Sequence, residues 1–302
     1  MFLNELSTKQ NLSFLRNLYS FFITDLCVVK MDNEKIKSYR IGVNSGIIYA
    51  CYIEKNWAGE HFIEDFGITY LLEGTYTVTD NNKTNVFRAG DMLFYRKNQL
   101  AKFVKQPAEN GIFRGISIIL DKDTLWNFSK QYHHDNLAAA MRINAVTRIE
   151  PNVLLKHYFD SLEPYFETQI SDELIALKKQ EAIILLLQSN PELKNILFDF
   201  SMPGKIDLEA FMNKNFKFNV EIKRLAYLTG RSLATFKRDF EKTFQTSPNR
   251  WLQQRRLQEA YYLIKEKKQK PSDVYLEVGF ESLSHFSYSF KQHFGQNPSS
   301  IT

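Results

Sequence analysis

The chain has 302 residues, 14% of them aromatic and 25 of them phenylalanine, a mixture too apolar for a disordered segment. Its formal net charge is +5, its two cysteines, Cys27 and Cys51, lack metal or redox spacing, and no apolar run approaches a membrane span. The start, Met1-Phe-Leu-Asn-Glu-Leu, lacks the basic and apolar regions of a secretion signal, so a cytoplasmic protein with buried thiols and no membrane partner is expected. The length allows two hydrophobic cores.

From about residue 35 to 120 the sequence reads as short strands. Ser45–Ile53, Ile68–Gly74, Tyr76–Thr79, Asn85–Arg88, Met92–Tyr95 and Gly111–Leu120 are rich in β-branched and aromatic residues. Turn chemistry separates them at Glu73-Gly74, at Asp80-Asn81-Asn82 and at Ala89-Gly90-Asp91. Many short strands at this spacing predict a sandwich or barrel. Leu72-Glu73-Gly74 followed by Phe87-Arg88-Ala89-Gly90-Asp91 resembles a cupin-like domain. Cupin enzymes hold a metal through clustered histidines, but this region has one histidine, His61, with Glu64 and Asp65 nearby, and Phe103 where another histidine would be expected. No metal and no cofactor are therefore expected. The chain also lacks a nucleophile-plus-base arrangement and a phosphate-binding glycine loop, so no enzyme activity is expected. An interior lined by Tyr70, Leu72, Tyr76, Phe87, Phe94 and Phe103 would be apolar, suiting a small hydrophobic effector or a plain core. Alternatively the outer face meets a protein effector.

Asp121 to about Phe200 reads as helix. Apolar residues at 154, 155, 158, 159 and 162 form one stripe, and Leu174–Leu187 continues in nearly all-apolar fashion until Ser189-Asn190-Pro191 stops it. These helices either cover the sheet or pair two copies of the chain, and symmetric pairing is the default for oligomers. A hinge is expected over Asp199–Gly204, where proline and glycine break the pattern.

The C-terminal part contains one supersecondary unit twice. Gly230, Ser232, Phe236, Phe240, Phe244 and Pro248 form the first copy. Gly279, Ser282, Phe286, Phe290, Phe294 and Pro298 form the second, fifty residues later at every position except the glycine. Each serine stands where an N-cap belongs. The phenylalanines follow at i, i+4 and i+8, one buried stripe down one helix face. Shorter amphipathic runs, Val220–Leu228 and Asp273–Val278, precede each glycine, which supplies the turn. The residues between the phenylalanines point away from the core: Ala234, Thr235, Lys237, Arg238 and Glu241 in the first copy, Ser284, His285, Ser287, Tyr288 and Lys291 in the second. A helix with an apolar back and a small, polar or basic front fits a major groove, and these ten residues are the candidate DNA contacts. Two readings compete: a helical repeat that docks a protein partner, and a degenerate, metal-free cupin with an appended helical domain.

The segment from about Lys205 to the C-terminus resembles the DNA-binding domain of AraC/XylS-type bacterial transcription regulators, most closely from Val278-Gly279-Phe280-Glu281-Ser282 through Phe286 and Phe290 to Gly295 and Pro298. The resemblance implies seven helices forming two helix-turn-helix units joined by a long helix, here Pro248 to about Glu266 with Arg250, Arg255 and Arg256. It also implies a cupin-like sensor at the front, flanking helices that dimerise, and double-stranded DNA and RNA polymerase as partners. Two positions depart from the family pattern. Tyr275 replaces a usual alanine, and Tyr288 replaces a common arginine matching Arg238. Charge follows the same division: residues 203–302 hold 17 Lys and Arg against 10 Asp and Glu, leaving 22 against 24 for residues 1–202. The Lys265–Lys270 run reads as a solvated loop rather than a phosphate contact.

The expected architecture is α+β. It comprises a cupin-like β-barrel or sandwich over 1–125, a helical dimerisation and linker region over 126–202, and an all-α double helix-turn-helix domain over 203–302.

Overall fold

A computed structural model of the protein describes residues 36–40, 46–52, 56–57, 62–80, 83–109, 111–132, 144–150, 152–167 and 170–301. The chain divides into two compact units, the second made of residues 201–302 together with Phe62. The architecture is α+β, and among the described residues all strand residues but Phe62 belong to the first unit.

The first unit carries β1 (Ile36–Arg40), β2 (Ile47–Tyr52), β3 (Asn56–Trp57), β4 (Phe62–Ile63), β5 (Phe66–Glu73), β6 (Thr75–Asp80), β7 (Lys83–Arg88), β8 (Met92–Tyr95), β9 (Gln99–Leu100), β10 (Lys102–Gln106), β11 (Phe113–Leu120) and β12 (Val146–Ile149). They form a six-stranded sheet in the order β1-β2-β11-β5-β8-β12, a four-stranded sheet in the order β3-β10-β6-β7, and a short β4–β9 ribbon. Four α-helices accompany them, α1 (Lys122–Gln131) ahead of β12, then α2 (Val153–Asp160), α3 (Asp172–Ser189) and α4 (Lys194–Leu197).

Alternation along the strands splits the apolar residues between two cores. Between the sheets lie Leu71, Leu93 and Tyr95 from one and Tyr76, Val78, Phe87 and Phe103 from the other. Tyr76 stacks on Phe103 at 5.8 Å and meets Tyr95 and Phe113 at 6.4 and 6.2 Å. The opposite face of the six-stranded sheet packs Ile68, Tyr70, Phe94 and Ile118 against Phe128, Phe159, Ile183 and Leu186 of the helices. This corrects the single interior expected from sequence. Tyr76, Phe87 and Phe103 line the space between the sheets, whereas Tyr70, Leu72 and Phe94 lie on the helical side, one residue out of phase with the inward row.

Val146–Ile149 is a strand, not part of a helical run. Its β-branched residues pair antiparallel with β8, Asp80 Oδ2 accepts a hydrogen bond from the Ala145 amide at 2.8 Å, and Arg148 meets Asp91 Oδ2 at 2.7 Å. Leu154 is 59% exposed, unlike Leu155, Tyr158, Phe159 and Leu162. It sits one residue, about 100° around the helix, from Leu155, and so falls off the buried stripe. Cys51 is half-buried on β2; Cys27 and His61 lie outside the described residues.

A polar cluster joins the start of α1 to α3. Asp121 caps α1 by accepting from the Thr124 amide at 2.8 Å, and its Oδ2 accepts from Lys179 Nζ at 2.6 Å. The Lys179 side chain is only 8% exposed, a placement lysine tolerates when a carboxylate stands opposite. Asp65 lies within electrostatic reach of Glu64, Asp121, Lys179 and Lys97, and Lys97 donates to the Asp199 carbonyl.

The second unit is all-α: α5 (Leu208–Asn215), α6 (Ile222–Leu228), α7 (Leu233–Phe244), α8 (Pro248–Lys265), α9 (Pro271–Glu277) and α10 (Leu283–Phe294). The last of the seven expected helices is a single 3-10 turn, Pro298–Ser300. No regular structure spans 199–206, where the hinge was expected.

Candidate nucleic-acid interface

Each recognition helix starts and stops as its local sequence dictates. Ser232 accepts from the Thr235 amide and Ser282 from the His285 amide, both at 3.2 Å, satisfying donors that the first turn leaves orphaned. Both helices end on a left-handed residue, Gln245 in the first and Gly295 in the second. The turns that lead in need glycine. Gly230 has φ +66°, and a Cβ there would lie 2.4 Å from the Gly204 carbonyl carbon; Gly279 has φ +97°, and its Cβ would lie 2.6 Å from the Lys217 oxygen.

The phenylalanine stripes form the backs of both helices. Phe236, Phe240, Phe286 and Phe290 are fully buried. The connector α8 covers both stripes with aromatics. Trp251 packs on Phe240 and Phe244 at 5.8 and 4.7 Å, and Tyr261 packs on Phe290 and Phe294 at 6.4 and 4.9 Å. Gln253 adds a hydrogen bond to Ser289 Oγ at 3.1 Å. Tyr275, in place of a small residue, packs half-buried against the second core.

On the fronts, Ala234, Lys237, Arg238, Glu241, Ser284, His285, Tyr288 and Lys291 are exposed, while Thr235 and Ser287 are half-buried. Arg238 leaves 77% of its side chain in solvent, 3.5 Å from Asp239 Oδ1, and Tyr288 is 66% exposed. Each helix therefore shows a polar face opposite its aromatic one. In the first this face has a planar guanidinium with several donors; in the second the same position has one hydroxyl.

Two arginines that sequence reasoning left among the general basic residues are structural. Arg231, 7% exposed, donates to Asp239 Oδ2 at 3.1 Å and to the Ile206 and Thr229 carbonyls at 2.9 and 2.8 Å. It holds the Asp239 carboxyl below the usual carboxylate range, with Lys205 and Arg238 adding to the effect. Arg256 donates to the carbonyls of Phe216, Phe218 and Gly279 at 2.8, 2.8 and 3.0 Å, and burial pulls its pKa down to about 10. The only local sign was position: Arg231 stands in the turn, and Arg256 in the middle of the connector.

No group of three or more metal-ligating side chains occurs among the described residues. No described helix is long and apolar enough to cross a membrane.

Two capped helices with buried backs and open polar fronts, held on one connector, define a double helix-turn-helix protein. Residues 225–302 match the family model of a helix-turn-helix domain, and residues 66–196 match that of the ExsA N-terminal regulatory domain. The chain is 26% identical over 242 residues to the HTH-type transcriptional regulator ExsA of Pseudomonas aeruginosa, covering 77% of this chain and 84% of that protein. It is 26% identical over 249 residues to the virulence regulon transcriptional activator VirF of Yersinia enterocolitica, covering 77% and 87%. A Haemophilus influenzae HTH-type transcriptional regulator is 27% identical over 290 residues, covering 85% and 93%. The chain is thus similar over most of its length to AraC/XylS-type bacterial transcription regulators, and it is a DNA-binding transcription regulator with an N-terminal regulatory domain.

Proposed function

We propose that this regulator reads DNA with both recognition helices in successive major grooves on one face of the duplex. The observation that carries this is the matched pair of polar fronts, exposed except at the half-buried Thr235 and Ser287: Ala234, Thr235, Lys237, Arg238 and Glu241 on α7, and Ser284, His285, Ser287, Tyr288 and Lys291 on α10. Arg238 is assigned a bidentate contact to guanine, the commonest specific contact an exposed arginine makes in a major groove. Half-sites read this way lie about one helical turn, roughly 10 base pairs, apart.

The proposed boundaries are 1–125 for the sensor, 126–202 for the helical dimerisation region and 203–302 for DNA binding. A break into compact units after Phe200 supports the last of them. Homodimerisation through α2 and α3 is supported by the exposed apolar residues Val153, Leu154 and Leu177. A small-molecule or protein effector acts on the first unit. The regulator works in the cytoplasm, without catalysis, as an activator that contacts RNA polymerase; the activator reading follows the similarity to VirF, a virulence regulon transcriptional activator.

Footprinting of the full chain on duplexes selected from a random library tests the two-groove reading. Two protected segments per monomer are expected, and inserting five base pairs between them should abolish joint protection, because it turns one segment to the far side of the duplex. Unchanged affinity after that insertion would leave a single reading helix.

A further inference from the structure

Residues 216–219 lead from α5 into α6, the first helix of the first helix-turn-helix, and residues 277–281 form the turn of the second. Side chains join these two stretches across the connector. From α8, Arg256 reaches Phe216 and Phe218 on one side and Gly279 on the other, all three through backbone carbonyls. Lys217 meets Glu259 of α8 at 2.7 Å and Glu277 at the end of α9 at 3.7 Å. Asn219 donates to Glu281 at 2.6 Å. Gly279 lets the Lys217 carbonyl approach where a Cβ would collide with it. The Phe216 carbonyl is also one of the acceptors that α5 leaves unsatisfied at its C-terminus, and a guanidinium suits that end of a helix.

We propose that Arg256, Lys217 and Asn219 are positioning residues that weld the two helix-turn-helix units into one rigid reader, fixing the phase between α7 and α10 and so the base-pair spacing the protein accepts. The proposal rests on the two-groove reading above and deepens it. A planar fork with five fixed donors can serve three acceptors lying in different directions; an ammonium concentrates its donors at one point. The brace grips main chain rather than side chains, so it fixes the paths of the turn and of the lead-in segment themselves. With it in place, a site whose halves are one base pair too close or too far presents one half rotated by about a tenth of a turn. A hinged pair of units would follow that rotation, and a braced pair would not.

The experiment uses the full chain and a duplex chosen from a random library by the unaltered protein, rebuilt with one base pair removed or added between its halves. The unaltered protein should lose roughly tenfold or more in affinity at either wrong spacing, the scale of a lost specific contact. Arg256→Lys should bind the correct spacing less tightly yet discriminate among spacings by no more than about threefold, while affinity for each half-site alone stays within about twofold. A variant with Asn219→Ala and Glu281→Ala alters only a surface arm of the brace, and should flatten the profile in the same direction even if Arg256→Lys unfolds. Retention of the full spacing discrimination by the surface variant, and by Arg256→Lys where it folds, would overturn the brace alone. Indifference of the unaltered protein to spacing, five-base-pair insertion included, would overturn the two-groove reading and the brace with it.

Discussion

The first helix-turn-helix ties its turn to its own recognition helix with charge, the second with apolar packing. In the first, Arg231 lies between Gly230 and Ser232 and pins the turn to Asp239 of the recognition helix. In the second, the longer turn places Phe280 against Phe286 at 5.2 Å and His285 at 5.6 Å, and no equivalent ion pair is needed. The skeletons beneath are alike: serine cap, three phenylalanines, one aromatic lid from α8. Duplicated units thus keep what builds the helix and vary what closes the turn and what faces outward. The polar front carries Lys237 and Arg238 in one unit and Ser287 and Tyr288 in the other, so the units share a scaffold but not a vocabulary.

If the skeletons are equivalent, they should fail equally. Phe240→Ala and Phe290→Ala each remove a fully buried ring, and each should cost about 3–5 kcal/mol in urea unfolding of the full chain. A variant at either position that melts normally yet cannot bind DNA would show that the stripe does more than support the helix.

The fronts should fail unequally. Arg238→Ala should lose about 1–3 kcal/mol of specific DNA affinity and relax preference at one base position, whereas Tyr288→Ala should lose less, with little change in preference. Competition binding over a set of single-base variants measures both. Equal weakening on every sequence by Arg238→Ala would make it a phosphate contact instead.

The smallest expected effect lies at the helix ends. Gln245 and Gly295 occupy the same left-handed cap, fifty residues apart, with φ of +55° and +76°. Gln245→Gly should therefore stabilise the first unit by about 1 kcal/mol, less whatever its side-chain bond to the Lys242 carbonyl contributes, and Gly295→Gln should destabilise the second by a similar amount. Thermal melting of the single variants and of the double exchange would reveal any departure from this symmetry.

Most of this comparison is readable along the chain because its determinants are local. A cap serine, a phenylalanine four residues on and a glycine before the turn each act within a turn or two of helix. Val146–Ile149 was hidden because its partner strand lies some fifty residues away, and nothing nearby marks it as a strand edge. Strand alternation puts Tyr70 and Leu72 on one face of β5 and Leu71 on the other, but it could not say which face meets the second sheet and which meets the helices. Arg231 and Arg256 sit in a basic segment, where a charge reads as a phosphate contact. Their acceptors are carbonyls, which no side-chain pattern announces.

The polar cluster around Asp121 and Lys179 makes folding of the first unit a proton-binding reaction. Burial, then repulsion from Glu64 and Asp121, raises the Asp65 carboxyl from its ordinary 3.8 to about 7. The folded unit therefore holds a proton that the unfolded chain releases between those values. The stability linked to that proton is complete below about pH 4 and drains away as pH rises through 7. Asp65→Asn, which cannot ionise, should remove this decline, so that urea midpoints of the first unit at pH 5 and pH 8 draw closer together. Near neutrality the regulatory domain then exchanges between two protonation states, and any effector that prefers one of them would act by choosing between populations already present.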